Sequence, residues 1–161
     1  MFEGGLLKRL GLGSFALIIA GLIQGSDVFA IQGIKPNVVL SLLFLFAFFF
    51  DEWGSYLFLA ILSGIAVYFG PGFDFGPVAL AAVALAFFFS RNLLPGNRFI
   101  NVVLAVSVGT VVFYAVSGPG FLFGSPIIVF LEVLYNTGIA VLIYPAAHRL
   151  LSYEKGFRTS R

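Results

Sequence analysis

The sequence predicts an all-α, polytopic membrane protein with six transmembrane helices in one compact bundle, and three observations lead there. Hydrophobic residues make up 60% of the 161 residues and charged ones only 10%. Mean hydropathy is +1.07, and a soluble domain averages roughly 45–50% apolar and about 25% charged residues. Such a chain cannot cover a water-facing surface with polar groups, which excludes a soluble globular protein and a disordered one. Runs such as 42–50 and 77–89 do not alternate in polarity, as a membrane β-strand must over about ten residues. Helices are therefore expected.

Polar and Gly/Pro punctuation divides the chain into six segments: Leu10–Ala30, Pro36–Phe50, Trp53–Phe69, Pro77–Ser90, Phe99–Ser117 and Pro126–Leu150. A spanning helix needs about 20 apolar residues, with a range of roughly 17–25. The second and fourth are short by that measure and must borrow loop residues or meet a locally thin membrane. Pro36, Pro77 and Pro126 each stand at a helix start, where the missing N–H costs nothing. Residues 1–151 are read as a single transmembrane domain and 152–161 as a short basic cytoplasmic tail. Lys8-Arg9, the apolar stretch after them and Val28-Phe29-Ala30 also have the outline of a signal peptide. The length of that stretch, and the small-xxx-small spacing of Gly21 and Gly25, favour a retained helix.

Charge sets the expected orientation. With six spans and a cytoplasmic amino terminus, Lys8, Arg9, Arg91, Arg98, Arg149, Lys155, Arg158 and Arg161 fall on the cytoplasmic side and Lys35 outside. Both termini are thus expected in the cytoplasm. The net charge of +2 is spread too thinly to form the basic stripe of a nucleic-acid-binding protein. The basic, partly aromatic tail reads first as an anchor on anionic lipid, and second as a docking peptide.

A weak repeat joins Gly70-Pro-Gly-Phe-Asp-Phe-Gly76-Pro77 to Gly118-Pro-Gly-Phe-Leu-Phe-Gly124-Ser-Pro126, both expected as sharp turns on the outer side. A second echo pairs 48–50 with 87–89, each a run of three phenylalanines. Related helical hairpins of this kind recur in membrane transport folds. Phe73, Phe75, Phe121 and Phe123 in the outer loops either rest in the headgroup zone or offer an apolar docking surface.

Catalytic chemistry has little to draw on. With no cysteine and one histidine, disulfides, thiolate nucleophiles, Cys-ligated zinc and multi-histidine metal sites are excluded. No phosphate loop or Ser/His/Asp set is present, so neither an enzyme nor a bound cofactor is expected. Glu132 is the only acidic residue well inside a proposed span, and Tyr135 and Asn136 follow at i+3 and i+4 on the same helical face, continued by Ile139 and Ile143. A polar stripe there must face the bundle and not lipid. Three readings stay open: a hydrogen-bonded clasp, with Ser107 or Thr110 as partners, a contact with another membrane protein, or a ligand or proton site. His148 beside Arg149 reads as an interfacial cap at a helix C-terminus.

The run Glu132-Val-Leu-Tyr135-Asn136, with Tyr144-Pro145 and Arg149 after it, resembles the C-terminal region of the rod shape-determining protein MreD family. Pro36-Asn37 at the start of the second segment resembles the Pro-Asp type start seen there, and the length and six-span layout agree. The resemblance implies a multi-pass protein of the bacterial inner membrane, without catalysis, in the machinery that elongates the side wall by peptidoglycan synthesis. Its implied partners are an MreC-like bitopic protein and, through it, RodA and its penicillin-binding transpeptidase, alongside the lipid bilayer, with a homo-oligomer left open. The family is similar in layout to the substrate-binding S-components of energy-coupling-factor vitamin transporters. That similarity supplies an alternative expectation: an outward pocket containing Glu132, Asn136 and Asp74.

Overall fold

A computed structural model describes residues 3–26, 34–67 and 75–152, and all regular structure among them is helical. The helices are α1 (Glu3–Gly25), α2 (Val38–Phe46), α3 (Trp53–Val67), α4 (Gly76–Ser90), α5 (Arg98–Ser117), α6 (Pro119–Gly124) and α7 (Pro126–Ser152). Four are long and apolar enough to cross a membrane: Gly5–Gly25, Gly76–Leu93, Arg98–Ser117 and Pro126–Leu151. The 15-residue α3 is apolar and shorter.

Boundaries follow local chemistry. Asn97 caps α5 by accepting the Ile100 N–H at 2.9 Å, and Asn37 caps α2 by accepting the Leu40 N–H at the same distance. Gly96, just before the α5 cap, holds φ at +126°, a conformation that a side chain would strain. The first helix begins seven residues before the expected Leu10, at Glu3, with no proline in Glu3–Arg9 and with Gly4 and Gly5 confined to its first turn, and it ends at Gly25. The second of the two Gly-Pro-Gly-Phe segments is not a bare turn: Pro119–Gly124 coils into α6, with Pro119 at a helix start where its missing N–H is harmless. Most of the first loop, including Phe73 and Asp74, lies outside the described residues, as does the tail beyond Ser152.

The largest departure from expectation is the second segment. Its helix runs only from Val38 to Phe46, about 14 Å at 1.5 Å per residue. All nine of its residues are buried. α1 packs on α3, α3 on α4, α4 on α5 and α5 on α7, and α2 touches all five of these helices from the centre. A helix that is apolar on every side belongs where every side is covered.

Aromatic rings fill the space around it. Phe44 meets Phe87 edge-on at 5.0 Å, and Tyr56 stacks on Phe88 at 4.6 Å while donating its hydroxyl to the Leu43 carbonyl at 3.1 Å. Gly109 of α5 lets Phe44 approach, since a Cβ there would stand 2.6 Å from the ring. Gly21 of α1 does the same for the backbone of α3, where a Cβ would lie 2.6 Å from the Ala66 carbonyl oxygen. Gly25, the other half of the small-xxx-small pair, meets nothing within 4 Å.

Candidate functional site

The polar residues of the bundle gather at the two ends of α2. At its N-terminal end, Asn136 of α7 is fully buried and joins three helices. Its Oδ1 accepts the backbone N–H of Asn37 at 2.7 Å, and its Nδ2 donates to the Thr110 hydroxyl of α5 at 3.2 Å. Its carbonyl accepts the Ser41 hydroxyl of α2 at 3.1 Å. Gln24 of α1 accepts the Val39 N–H at 3.1 Å. The first-turn donors of a helix lack intrahelical partners and are expensive to bury unpaired. Here those of Asn37, Val39 and Leu40 are met by three side-chain amide oxygens.

A second layer links α5 to α7. Ser107 and Thr137 share a hydrogen bond of 2.9 Å, and the Tyr114 hydroxyl donates to the carboxylate of the buried Glu132. Tyr114 also leans on Phe121 of α6 at 5.3 Å, so this short helix rests against the residue that holds Glu132. Counted from the Asn136 layer, α5 continues about two turns toward α6 and α7 begins about three turns away in the same direction. On the α5–α6–α7 connection Phe123, Ile127 and Phe130 are exposed, Phe123 at 81%.

At the C-terminal end of α2 the partners are arginines. Arg9 of α1 donates to the Phe49 carbonyl and lies over the Phe50 ring. Arg91, in the short turn after α4, donates to the Ala47 and Phe50 carbonyls and lies 4.1 Å from the Phe88 ring. Arg98 of α5 stands over the Phe49 ring at 5.3 Å. The carbonyls that Arg9 and Arg91 meet lie in the turn that follows α2, since those of Leu43, Leu45 and Phe46 are taken by the backbone N–H groups of residues 47–50. Cations suit this end because it lies at the negative pole of the helix.

The residues singled out in the sequence fall into distinct groups. Pro36 is buried, and Asn37, Glu132 and Asn136 belong to the polar layers, with Tyr135 half-buried beside them. The apolar continuation of that face is Ala140, fully buried, with Ile139 and Ile143 only partly covered, because the α7 face turned to α2 is narrower than the expected stripe. Tyr144 is wedged between Phe49 at 6.0 Å and Phe99 at 5.2 Å, and Pro145 and Arg149 are exposed. Phe75, Phe121 and Phe123 are exposed. Gln24, Ser41, Tyr114 and the structural duty of Arg9 and Arg91 escaped the sequence reading. Only Gln24, a lone amide in an apolar run, carried a visible signal.

Among the described residues, no three His, Cys, Asp or Glu side chains converge as a metal site would require. The arrangement does one thing well: it fixes a short central helix at both ends. This is the build of a helical membrane protein organised around a buried core segment. The chain matches no family model, no curated protein and no solved structure.

Proposed function

We propose that this chain is a non-enzymatic scaffold of the MreD type, crossing the bacterial inner membrane six times with both termini in the cytoplasm. In this reading Pro36–Phe50, with its short helix, counts as the second pass. The protein receives an MreC-like bitopic partner and through it supports RodA and its transpeptidase in side-wall peptidoglycan synthesis. One observation carries the reading. The two segments on which the resemblance rests, Pro36-Asn37 and Glu132–Asn136, lie far apart in sequence, yet Asn136 bonds the Asn37 N–H at 2.7 Å. A motif asparagine that sets the position of a central helix suits a protein whose product is shape. The exposed apolar outer hairpin, with Phe121 and Phe123, is the surface offered to the partner.

The transporter S-component alternative needs a ligand cavity beside Glu132 and Asn136. Those polar groups are engaged by the protein itself, Asn136 with Asn37, Ser41 and Thr110 and Glu132 with Tyr114, which speaks for the scaffold. The test is co-expression with an MreC homologue and purification in mild detergent. Stoichiometric co-elution, weakened by Phe123→Asp, is expected. Recovery of the chain always alone, or with a vitamin-sized ligand bound, would overturn the reading.

A further inference from the structure

A groove of about 600 Å³ opens between the α2–α3 connection and the end of α4. Asp51, Glu52 and Trp53 form one wall, and Phe88, Phe89 and Arg91 the other. Trp53 is 61% exposed and Phe89 66%. Arg91 donates inward, onto the Ala47 and Phe50 carbonyls, lies over the Phe88 ring, and its charge is offset by that of Asp51 within its electrostatic reach. Glu52 is exposed and takes a long 3.5 Å contact from the Ser55 hydroxyl. The charge left open to the groove is that of Glu52, and it is negative. Aromatic walls beside carboxylates repel anionic lipid headgroups and suit a cationic segment carrying aromatic rings.

The chain ends in such a segment. Residues 153–161 read Tyr-Glu-Lys-Gly-Phe-Arg-Thr-Ser-Arg, three basic residues against one acidic, with two aromatics. They leave the bundle at the groove's end of it. Phe49 lies 6.3 Å from His148, one turn before α7 ends at Ser152. The groove begins at Asp51, at most about 8 Å of chain beyond Phe49. Nine extended residues reach about 30 Å.

We propose that this tail occupies the groove, with Phe157 between the Trp53 and Phe89 rings and Lys155 and Arg158 beside the Glu52 carboxylate. The tail then covers the arginine-held end of α2 and shields it from other ligands.

The chain has a single tryptophan, Trp53, so its fluorescence reports this groove alone. The full chain and a chain stopped after Ser152 are reconstituted in phosphatidylcholine vesicles and quenched with acrylamide. Truncation is expected to raise the quenching constant at least about twofold, because an aromatic contact of 150–250 Å² is lost. A synthetic peptide of residues 153–161 should reverse the rise, and salt near 1 M, where the screening length falls to about 3 Å, should weaken that reversal. Glu52→Lys should reproduce the rise, and adding Arg158→Glu should restore the original value. Equal quenching with and without the tail would overturn the proposal, as would a difference seen only in phosphatidylglycerol vesicles, the mark of a lipid anchor. The chain also lacks cysteine, so Asn92→Cys with Phe157→Cys should close a disulfide within one copy; closure only between copies would sink the idea.

Discussion

The two ends of α2 solve opposite problems with different chemistry. At the N-terminal end the exposed groups are N–H donors, and they are met by neutral amide oxygens from Gln24, Asn37 and Asn136. At the other end the groups to be met are carbonyls of the turn after the helix, those of the buried Ala47, Phe49 and Phe50, and they are met by the guanidinium groups of Arg9 and Arg91. The difference is one of sign. At the amide end Asn136 is fully buried, where a charge would cost several kcal/mol, with Gln24 and Asn37 half-buried beside it. The arginine end adjoins exposed Asp51, Glu52 and Asn92, so a long side chain keeps part of its charge near water while its head reaches inward. Unpaired donors call for neutral acceptors here, and carbonyls past the negative pole of the helix take cations.

That contrast predicts unequal sensitivity. Asn136→Leu should be the most damaging single change. It strands the Asn37 N–H and removes the bond to Thr110, whose hydroxyl keeps the Val106 carbonyl at 2.8 Å, and costs about 3 kcal/mol, the upper end of the range of roughly 1–3 kcal/mol for a stranded buried group. Denaturation by SDS from bicelles measures it, and a loss below that of Arg91→Met would break the comparison. Gly109→Ala should follow at about 2 kcal/mol, the usual range for an overfilled core, because its Cβ would meet the Phe44 ring at 2.6 Å. Phe44→Leu should recover much of that loss. Arg91→Met should cost about 1–2 kcal/mol, because the Ala47 and Phe50 carbonyls it leaves belong to buried residues while Arg91 itself is only half-buried. Arg91→Lys should restore part of this, because both bonds leave one terminal nitrogen and an ammonium also carries several donors, though it loses the guanidinium plane over the Phe88 ring. Gly25→Ala should be near neutral, within about 0.5 kcal/mol, as nothing lies within 4 Å of it, whereas Gly21→Ala should lower stability measurably.

Much of the bundle was legible in the sequence, and the reasons are specific. Pro77 and Pro126 stand in the first turn of α4 and α7, where the missing N–H is harmless, which is local chemistry, whereas Pro36 falls one residue before the Asn37 cap, so α2 starts two residues later than expected. Glu132 and Asn136 stood out because a polar group in an apolar run must find a partner. The fate of Val38–Phe46 was not legible, since lipid is as apolar as a protein core and hydrophobic periodicity loses its contrast between inside and outside. Arg9 and Arg91 were hidden for a related reason: a positive charge near a helix end satisfies the orientation rule whether it faces water or turns inward.

By itself the sequence determined that this protein is helical and built for a membrane, where α4, α5 and α7 begin to within a residue, and which few polar groups need partners. Each of these follows from the cost of an unpaired backbone or side-chain group in an apolar medium. Only the tertiary structure decided that the shortest helix stands at the centre, with amides at one end and arginines at the other. Those contacts join Asn37 to Asn136, Gln24 to Val39 and Arg91 to Ala47, pairs brought together by packing, and no local rule encodes which distant neighbour a buried helix end will meet.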